Sequence, residues 1–518
     1  MTSATNQKSF DAIVCGAGPV GLFLACELAL GGCTVLVLEQ AGNPASPLKQ
    51  LPFGIRGLSS PSIEALDRRG LLDEMYVPKS LKNPFVPAVA PQARHQAGHF
   101  AGIPFHREDI DTAQWPFRVD GRLDSALPAS LLSEMAELEA VLARRAEGMG
   151  VTIRRGVAVT GFEQTESDVT VHAQDQSFSG RWLVGCDGAR SVVRKAGGFE
   201  FAGTAPEFTG YTVKADLIGG EQLKPGRNAT PTGMYFQTQP GNLVLQDFDG
   251  GAFHDAGKPA TCAHVQEVLR RISGTDVTVD TLHLATTWTD RAHQATAYRS
   301  DQGGRVLLAG DAAHIHSPLG GQRLNLGLGD AMNLGWKLAA TIRGTAPAGL
   351  LDTYQAERHP VGAQVLDWSR AQVALMRPDP AARALHAIVR DLVATRDGAT
   401  YFAGRVWGVN LHYDLGGGHG LVGRSMPNFA FDDGSTIGAA MRGGRGVLLD
   451  FDGNAALADL AREFGNGIDY VTGSVRDRAG LGAVLIRPDG IVAWAADGVP
   501  DAGELQRAAV RWFGVDRE

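Results

Sequence analysis

The sequence predicts an α/β fold that combines a parallel sheet with a second, inserted sheet, and two patterns carry this prediction. Between Asp11 and Glu39 a strand, a glycine-rich turn, a helix and another strand follow one another, and about 30 residues is the length that a parallel strand-helix-strand unit needs. From Gly210 to about Asp290, short apolar runs are divided by Gly, Pro and Asp turns, which predicts mainly strands. With 518 residues, the chain is long enough for two to four domains.

The remaining elements are predicted from the spacing of apolar residues. The last part of the chain has the order strand, helix, strand, strand pair and helix, and its Asp489-Gly490 dipeptide between two apolar runs predicts a hairpin. Upstream of it we expect helices over residues 131–150, 324–343 and 351–375, and a buried strand over residues 305–309.

Three domains are expected from this order of elements. Residues 1–200 and 291–400 form a discontinuous nucleotide-binding domain in this interpretation, and residues 201–290 form the inserted sheet domain, with contributions from about residues 80–120. Residues 401–518 form a C-terminal domain. No cysteine follows Cys262, which excludes a Cys-x-x-Cys redox motif from that domain.

Charge and cysteine content exclude several classes of function. Lys and Arg number 48 against 56 Asp and Glu, which gives a net charge of −8 without a basic block, so no nucleic-acid or membrane surface is expected. Glu27 and several glycines interrupt the apolar segment from Ala12 to Leu38, which predicts a buried unit and neither a signal peptide nor a membrane span. Scattered cysteines and the lack of an export signal predict a cytoplasmic protein.

The first turn has the spacing of a dinucleotide-binding motif. Gly16, Gly18 and Gly21 follow a strand and precede a helix, and Glu39 ends the next strand. In such a motif the first glycine makes the tight turn, the second lets the backbone approach a pyrophosphate, and the third allows close helix packing. The helix N-terminus faces the phosphate charge and the acid binds ribose hydroxyls. The sequence therefore predicts that this unit binds a dinucleotide.

Two later segments favour FAD over NAD. Asp187-Gly188 ends one predicted strand, and Gly310-Asp311 ends another and is followed by the glycine-rich segment 318–322 and a helix. An aspartate at a strand end can accept hydrogen bonds from a polyol chain, and a helix N-terminus stabilises a flat ring that becomes anionic on reduction. A ribityl chain with an isoalloxazine ring fits that pair, whereas nicotinamide has no polyol.

Together these segments resemble the fingerprints of the single-component, class A flavoprotein aromatic hydroxylases. The chain is most similar to the aromatic-polyketide hydroxylases and the rifampicin-type monooxygenases, with further support from residues 98–104, 330–338 and 485–494. The resemblance covers essentially the whole chain. It implies a Rossmann-like FAD-binding domain, an inserted mixed-sheet substrate domain as in p-hydroxybenzoate hydroxylase, and a C-terminal thioredoxin-like domain.

The resemblance also implies a function. We expect an FAD-dependent monooxygenase that uses NADPH or NADH and O2 to hydroxylate a polycyclic aromatic polyketide or a related antibiotic through a flavin C4a-hydroperoxide. Baeyer–Villiger oxygen insertion and a flavin-binding protein that has lost turnover stay open as alternatives, and so do a monomer and a homodimer. By matching position, the residues expected at the cofactor are Gly16, Gly18, Pro19, Val20, Gly21, Glu39, Gln40, Arg56, Asp187, Gly188, Gly310, Asp311, Pro318, Gly321, Gln322, Arg323, Leu324 and Asn325.

Four positions depart from the family pattern. Arg323 stands where the family commonly has Gly, and Gly329 where it commonly has Gln. Met135 replaces a usual glutamine, and Pro61 replaces a basic residue. Three roles stay open for Arg323: it could stabilise anionic flavin, pair with an acidic substrate, or point to solvent without a function.

The sequence does not assign a catalytic base. His106, His283 and Arg323 are candidates for deprotonating a phenol, since phenolate is the stronger carbon nucleophile. His314 and His316 lack a third ligand nearby in sequence, so no metal site is predicted. Residues of the inserted sheet are expected either to line an apolar pocket or to fill the sheet core, namely Met234, Tyr235, Phe236, Gln237, Phe248, Phe253 and Trp288.

Overall fold

The computed structural model describes residues 9–75, 95–115, 127, 130–300, 304–475 and 477–514. The expected contribution of residues 80–120 to the inserted domain falls partly outside these residues, at 80–94 and 116–120. No helix in the described part of the chain is long and apolar enough to span a membrane.

The elements up to residue 204 are strands and helices in mixed order. In chain order they are β1 (Phe10–Cys15), α1 (Pro19–Leu30), β2 (Val35–Glu39), β3 (Ile55–Ser59), α2 (Ser60–Asp67), α3 (Leu72–Met75), β4 (Gln96–Phe100), β5 (Ile103–His106), β6 (Ser130–Glu134), α4 (Met135–Gly148), β7 (Thr152–Arg155), β8 (Gly161–Gln164), β9 (Val169–Ala173), β10 (Gln176–Gly185), α5 (Val192–Ala196) and β11 (Phe201–Thr204).

The rest of the chain adds a second sheet, a group of helices and a last sheet. The elements are β12 (Thr209–Ile218), β13 (Gly226–Thr230), β14 (Gly233–Gln239), β15 (Asn242–Asp247), α6 (Ala252–Asp255), α7 (Cys262–Ser273), β16 (Thr278–Thr289), β17 (Ala292–Ala295), β18 (Val306–Leu308), β19 (His314–Ile315), α8 (Gln322–Arg343), α9 (Thr353–Met376), α10 (Pro380–Val393), α11 (Arg396–Trp407), α12 (Ile437–Ala440), β20 (Gly446–Asp450), α13 (Ala455–Glu463), β21 (Ile468–Thr472), β22 (Leu481–Ile486), β23 (Val492–Asp497) and α14 (Ala502–Phe513).

The first sheet is mostly parallel. Strands β7, β2, β1, β10 and β18 pair in parallel, and β9 and β8 extend β10 in the antiparallel sense. Apolar runs such as Val35–Leu38 and Val306–Leu308 are buried throughout, as expected for parallel strands covered on both faces. Cys15 lies opposite Leu38 and Gly185. The carboxyl ends of these strands therefore lie at one edge of the sheet.

Helices α1 and α8 pack closely on this sheet because glycines remove side chains from their contact. A Cβ on Gly327 would lie 2.5 Å from Val20 Cγ2, and a Cβ on Gly335 would lie 2.3 Å from Glu27 Cβ. The contacts occur in the same order along both helices, so the helices run parallel. Both helix N-termini consequently lie at the same edge of the sheet.

The second sheet is antiparallel, with the order β13-β14-β15-β12-β16. Helix α7 covers one face, where Val265 and Leu269 pack against Tyr235 and Leu245. The opposite face carries Met234 and the residues at every second position from it along the strand, because side chains alternate between the two faces of a sheet. We call this opposite face the inner face.

Two predicted elements are corrected by the structure. The helix expected over residues 131–150 begins at Met135, because residues 130–134 instead form β6 and pair with β3. The segment after Gly210, expected to be mainly strands, contains helix α7, whose buried Val265, Val268 and Ile272 have helical spacing.

The last part of the chain has the predicted order of elements. Strands β21, β20, β22 and β23 form one sheet, and the Asp489-Gly490 turn joins β22 to β23 as an antiparallel hairpin. Just before this turn, Arg487 reaches helix α9 and donates to both carboxylate oxygens of Glu357 over 2.8 Å. Lys337 of α8 lies 2.9 Å from the same carboxylate, and all three side chains are buried. A buried ion cluster thus joins the last sheet to the helices of the first.

Candidate active site

The edge formed by the carboxyl ends of β1, β2, β10 and β18 brings the three predicted motifs together. Ala309 N–H donates to Gly185 O over 3.0 Å, and Cys186 N–H donates to Cys15 O over 2.8 Å. The Gly16–Gly21 turn, the Asp187-Gly188 segment and the Gly310-Asp311 segment therefore leave the sheet side by side. Ligands of open α/β sheets bind outside the carboxyl ends of the strands.

The three glycines of the first turn have different surroundings. Gly16 has φ +105°, and a Cβ there would lie 2.4 Å from Cys186 O. A Cβ on Gly21 would lie 2.0 Å from Gly16 O, whereas a Cβ on Gly18 would meet nothing within 4 Å. Gly16 and Gly21 are thus required by the fold itself, and Gly18 leaves open space at the edge.

Two long helices begin at this edge without side-chain caps. Gly18 precedes α1 and Gly321 precedes α8, and neither has a side chain that could accept hydrogen bonds from the first backbone N–H groups. Pro19 begins α1, where its missing N–H costs nothing. A Cβ on Gly321 would also meet nothing within 4 Å. Uncapped N–H groups and the positive helix end suit a pyrophosphate at α1 and an anionic ring edge at α8.

Glu39 lies beside the first turn, and Arg56 lies on β3. The Glu39 carboxylate accepts hydrogen bonds from Ala17 N–H and Ala41 N–H, both over 2.8 Å, and this fixes it beside the glycines. Gln40 is exposed next to it. Arg56 donates to Phe53 O and Ile55 O. Burial, followed by the nearby charge of Arg323, lowers the pKa of Arg56.

Asp330 supports the Gly310-Asp311 turn, and sequence reasoning missed this role. Its Oδ2 accepts the Gly310 N–H over 3.0 Å and lies 2.6 Å from His314 Nε2, while Arg358 Nε donates to Oδ1 over 2.8 Å. Burial opposes ionisation of Asp330, but the charges of His314 and Arg358 lower its pKa. The signal in the sequence that could have revealed this role was a charged residue at a position of α8 that would otherwise be apolar. Gly329 leaves room for the Arg358 guanidinium, since a Cβ there would lie 2.8 Å from its Nη2.

Asp311 and Arg323 form an ion pair at the start of α8. Arg323 Nε donates to Asp311 Oδ1 over 2.7 Å, and its Nη2 lies 2.5 Å from Oδ2. Both side chains are about one-third exposed. The aspartate expected to bind the ribityl chain is therefore held by the arginine that departs from the family pattern.

The Asp187 carboxylate faces helix α5. It accepts hydrogen bonds from Ser191 Oγ, Val192 N–H and Val193 N–H at 2.5–3.1 Å. Gly188 follows with φ +79°, a conformation that favours glycine. The two residues lie at the predicted edge, and the carboxylate shapes the loop there.

The remaining predicted cofactor residues differ in exposure. Asn325 Nδ2 donates to Gly57 O and to Gly321 O, so it ties α8 to β3. Leu324 is 8% exposed and belongs to the core of the first sheet. Pro318 is exposed, and Gln322 Nε2 reaches Arg405 O over 3.5 Å.

An aromatic cluster lies between the inner face and the loop before α8. Leu319 of this loop packs in the same cluster as Met234 and Phe208. Phe208 lies 5.5 Å from Trp288 between ring centroids, and Gly210 leaves room for the indole, which a Cβ would approach to 2.4 Å. The loop before α8 therefore packs directly against a buried, apolar and aromatic cluster. The cluster comprises Phe100, Ala101, Phe208, Met234, Leu319, Val373, Leu375 and Met376, with Phe248, Trp288, Trp368, Val389 and Phe402 packed against it.

The structure separates the aromatic candidates by face. Met234, Phe248 and Trp288 belong to the aromatic cluster. Tyr235 and Phe253 instead pack on the α7 side, where Phe253 stacks on His264 with ring centroids 3.7 Å apart. Tyr235 therefore fills the sheet core, because it alternates with Met234 along β14. Gln237 shares the parity of Tyr235, and its Nε2 donates to Leu223 O.

The candidate bases and the histidine pair have local partners. His283 is 43% exposed and lies 2.8 Å from Asp216, so no water-excluding site surrounds it. His106 lies 3.9 Å from Asp109. His314 contacts Asp330, and His316 Nδ1 lies 2.8 Å from Ser317 O. Within the described residues, no group of three potential ligands surrounds a metal position.

Comparison with known proteins assigns the family. A family model described as an FAD binding domain matches residues 9–369, and one described as the C-terminal part of aromatic-ring hydroxylases matches residues 419–515. The chain belongs to the FAD-binding-domain family of flavin-dependent monooxygenases. This confirms the resemblance, and it confirms FAD as the cofactor with NAD(P)H as the family's co-substrate.

Relatives match this chain over nearly its whole length. A monooxygenase of Claviceps purpurea is 44% identical and covers 99% of this chain and 100% of its own. Rifampicin monooxygenase of Streptomyces venezuelae is 37% identical, and the match covers 98% of this chain and 99% of its own. The solved structure of the anhydrotetracycline hydroxylase of Streptomyces rimosus has a TM-score of 0.82 at 34% identity, and the match covers 98% of this chain and 99% of that one. The dialkyldecalin synthase of Streptomyces rugosporus is 33% identical over 97% and 98%.

Proposed function

We propose that this protein hydroxylates a polycyclic aromatic polyketide or a related antibiotic, with FAD, NAD(P)H and O2. We call the sheet edge that carries the three motifs the cofactor edge. The observation that carries the proposal is the direct contact between this edge and the aromatic cluster, through Leu319 in the loop before α8. Antibiotic-oxidising relatives with the same length support this substrate class. The partly buried aromatic residues of this cluster would hold flat rings and exclude water from the reacting centre.

The residues at the edge fit FAD. The open space at Gly18 and the uncapped start of α1 suit the pyrophosphate, and Glu39 suits the adenosine ribose. Asp311 would hold the ribityl chain, and the uncapped start of α8 at Gly321 would face the ring. Bound FAD would supply the oxygenating chemistry, with NAD(P)H as the reductant and O2 as the oxidant. The protein's own contribution is to orient the rings, to exclude water and to place positive charge beside the flavin.

The architecture supports the domain division as a proposal. The first sheet with α1 and α8 would be a Rossmann-like FAD-binding domain, and the second sheet a substrate domain. The last sheet, with α13 and α14, would be a thioredoxin-like domain without cysteine that acts as a structural support. Its buried ion cluster with α8 and α9 is consistent with that role.

An anaerobic absorbance titration with NADPH tests the proposed function. The purified protein is expected to be yellow, and one compound from a panel of polycyclic phenols and quinones should sharply accelerate the bleaching of the flavin. A colourless protein that binds no added FAD would contradict the proposal. A lactone in place of a phenol among the aerobic products would indicate Baeyer–Villiger insertion.

A flavin-binding role without turnover is the second candidate function. The departures from the family pattern at Arg323 and Met135 favour it, because Arg323 lies at the start of α8, which is proposed to face the flavin ring. A yellow protein that is never bleached by NADPH or NADH, whatever compound is added, would indicate this function.

Arg323→Gly is expected to tighten FAD binding by up to about fivefold. The change releases Asp311 from a partly exposed pair, and such pairs contribute about 0.2–1 kcal/mol. Quenching of FAD fluorescence during titration of the FAD-free protein measures the dissociation constant. Arg323→Lys, which keeps a cation beside Asp311, is the matched control and should bind like the wild type. Weaker binding by Arg323→Gly would mean that the guanidinium itself holds the cofactor.

A further inference from the structure

Arg227, at the outer strand of the inner face, has no acidic partner among the described residues. It lies opposite Phe236 in the register of β13 with β14, so both side chains are on one face of the sheet. The guanidinium carbon lies 4.6 Å from the Phe236 ring centroid. Arg227 Nη2 lies 3.0 Å from His99 Nε2, on β4. Burial lowers the pKa of Arg227 to about 10, which still leaves it cationic at neutral pH.

The contact with Arg227 decides which nitrogen of His99 carries the proton. A guanidinium only donates, so His99 Nε2 accepts and the proton lies on Nδ1. The Nδ1 atom is buried and has no hydrogen-bond partner in the described part of the chain. Burial, followed by the charge of Arg227, lowers the pKa of His99 to about 3, so the ring stays neutral. The pair therefore offers donors and one positive charge, and no free acceptor.

The same pair is connected to the cofactor edge. His99 lies two residues before Ala101, whose N–H donates to Gln372 Oε1 over 3.2 Å. Gln372 Nε2 reaches Leu319 O, in the loop before α8, over 3.5 Å. Arg227 itself lies under the tip of the β4–β5 hairpin, where a Cβ on Gly102 would be 3.5 Å from its Cδ. The side chain of Gln372 thus bridges the hairpin that carries His99 and the loop proposed to face the flavin ring.

We propose that Arg227, held in place by His99, binds an ionised oxygen of the substrate and so orients its rings on the inner face. The ligand would be a phenolate, an enolate or a carboxylate, because such an oxygen accepts from the guanidinium N–H groups that His99 does not occupy and neutralises the charge of Arg227. This inference rests on the proposed function and adds to it that the substrate is acidic. A cation beside a phenol also favours its ionised form, which is the stronger carbon nucleophile.

Binding of three anthraquinones to the FAD-loaded, full-length protein tests the inference. The probes are 2-hydroxyanthraquinone, anthraquinone-2-carboxylate and the neutral 2-methoxyanthraquinone, and quenching of tryptophan fluorescence measures each dissociation constant. The wild type is expected to bind at least one acidic probe about tenfold or more tightly than the ether, the effect of a charge-assisted hydrogen bond. Which acidic probe is preferred distinguishes a phenolate from a carboxylate.

Three variants separate recognition from folding. Arg227→Met should lose the preference for the acidic probe, and Arg227→Lys should keep part of it. Arg390→Met is the control, since Arg390 is exposed and, within the described ranges, forms an ion pair with its neighbour Asp391 alone. The hydroxyl probe should bind the wild type more tightly as pH rises through the pKa of the phenol, and this dependence should vanish in Arg227→Met.

Three results would overturn the inference: equal binding of acid and ether, failure to bind any of the three probes, or a preference that survives in Arg227→Met. These failures differ from failure of the proposed function. The latter is seen when no compound accelerates reduction of the wild-type flavin by NADPH, whatever the binding preference.

Discussion

Gly18→Ala is expected to weaken FAD binding about tenfold or more while the FAD-free protein stays folded. Nothing lies within 4 Å of a Cβ at this position, and its φ of −75° is one that alanine adopts. The loss of a favourable N-cap and the lower entropy of the unfolded chain oppose one another, so the free energy of unfolding changes by less than about 1 kcal/mol. In the proposed binding mode the pyrophosphate approaches the backbone here, and an intruding methyl group would cost about 1–3 kcal/mol of binding. FAD titration and chemical denaturation measure the two effects separately.

Gly21→Ala is the matched control for this prediction. Its Cβ would lie 2.0 Å from Gly16 O, so the variant should lose stability as well as FAD. If Gly18→Ala retains the FAD affinity of the wild type, the first turn does not hold the pyrophosphate.

Arg487→Met is expected to lower the free energy of unfolding by about 3–5 kcal/mol, the usual effect of leaving one buried charge without its partner. Arg487 donates to Glu357 and lies 2.5 Å from Asp489, and every member of the cluster is buried. Denaturant unfolding measures the change. Arg445→Met removes a half-exposed arginine paired with Asp469 in the same sheet, and should cost less than about 1 kcal/mol. Equal losses in the two variants would contradict the role of the buried cluster.

The same cluster predicts an acid limb in stability. Burial would raise the pKa of Glu357, but the charges of Arg487 and Lys337 outweigh it and lower the pKa to about 2. A carboxyl whose pKa is depressed in the folded state stabilises the fold above its unfolded pKa, near 4.5. This contribution should be lost as pH falls from about 4.5 towards 2. Glu357→Gln should lack that dependence, whereas a wild-type acid limb in this variant would assign it to other carboxyl groups.

The sequence predicted the motifs because each depends on local geometry. Gly16, Gly18 and Gly21 lie within one turn, and their spacing follows from the turn itself. The order of elements between residues 446 and 513 was also predictable, because apolar runs and the Asp489-Gly490 turn are local signals.

The parts that the sequence did not predict depend on contacts between distant residues. Asp330 supports Gly310 from a position 20 residues away, and Arg323 pairs with Asp311 because α8 begins beside that turn. Residues 130–134 continue an amphipathic pattern, but β3 pairs with them and makes them a strand. The face occupied by Tyr235 follows from the position of α7, which the pattern of short strands did not reveal.

The most direct test of the central claim follows the oxygen atom. A compound that accelerates reduction of the flavin is incubated with the protein, NADPH and isotopically labelled O2, and the product is examined by mass spectrometry. We expect a phenolic product that contains one labelled oxygen atom and a reaction that consumes one NADPH for each product. A product whose new oxygen comes from water, or NADPH oxidation with no oxygenated product from any accelerating compound, would contradict the assignment as a monooxygenase.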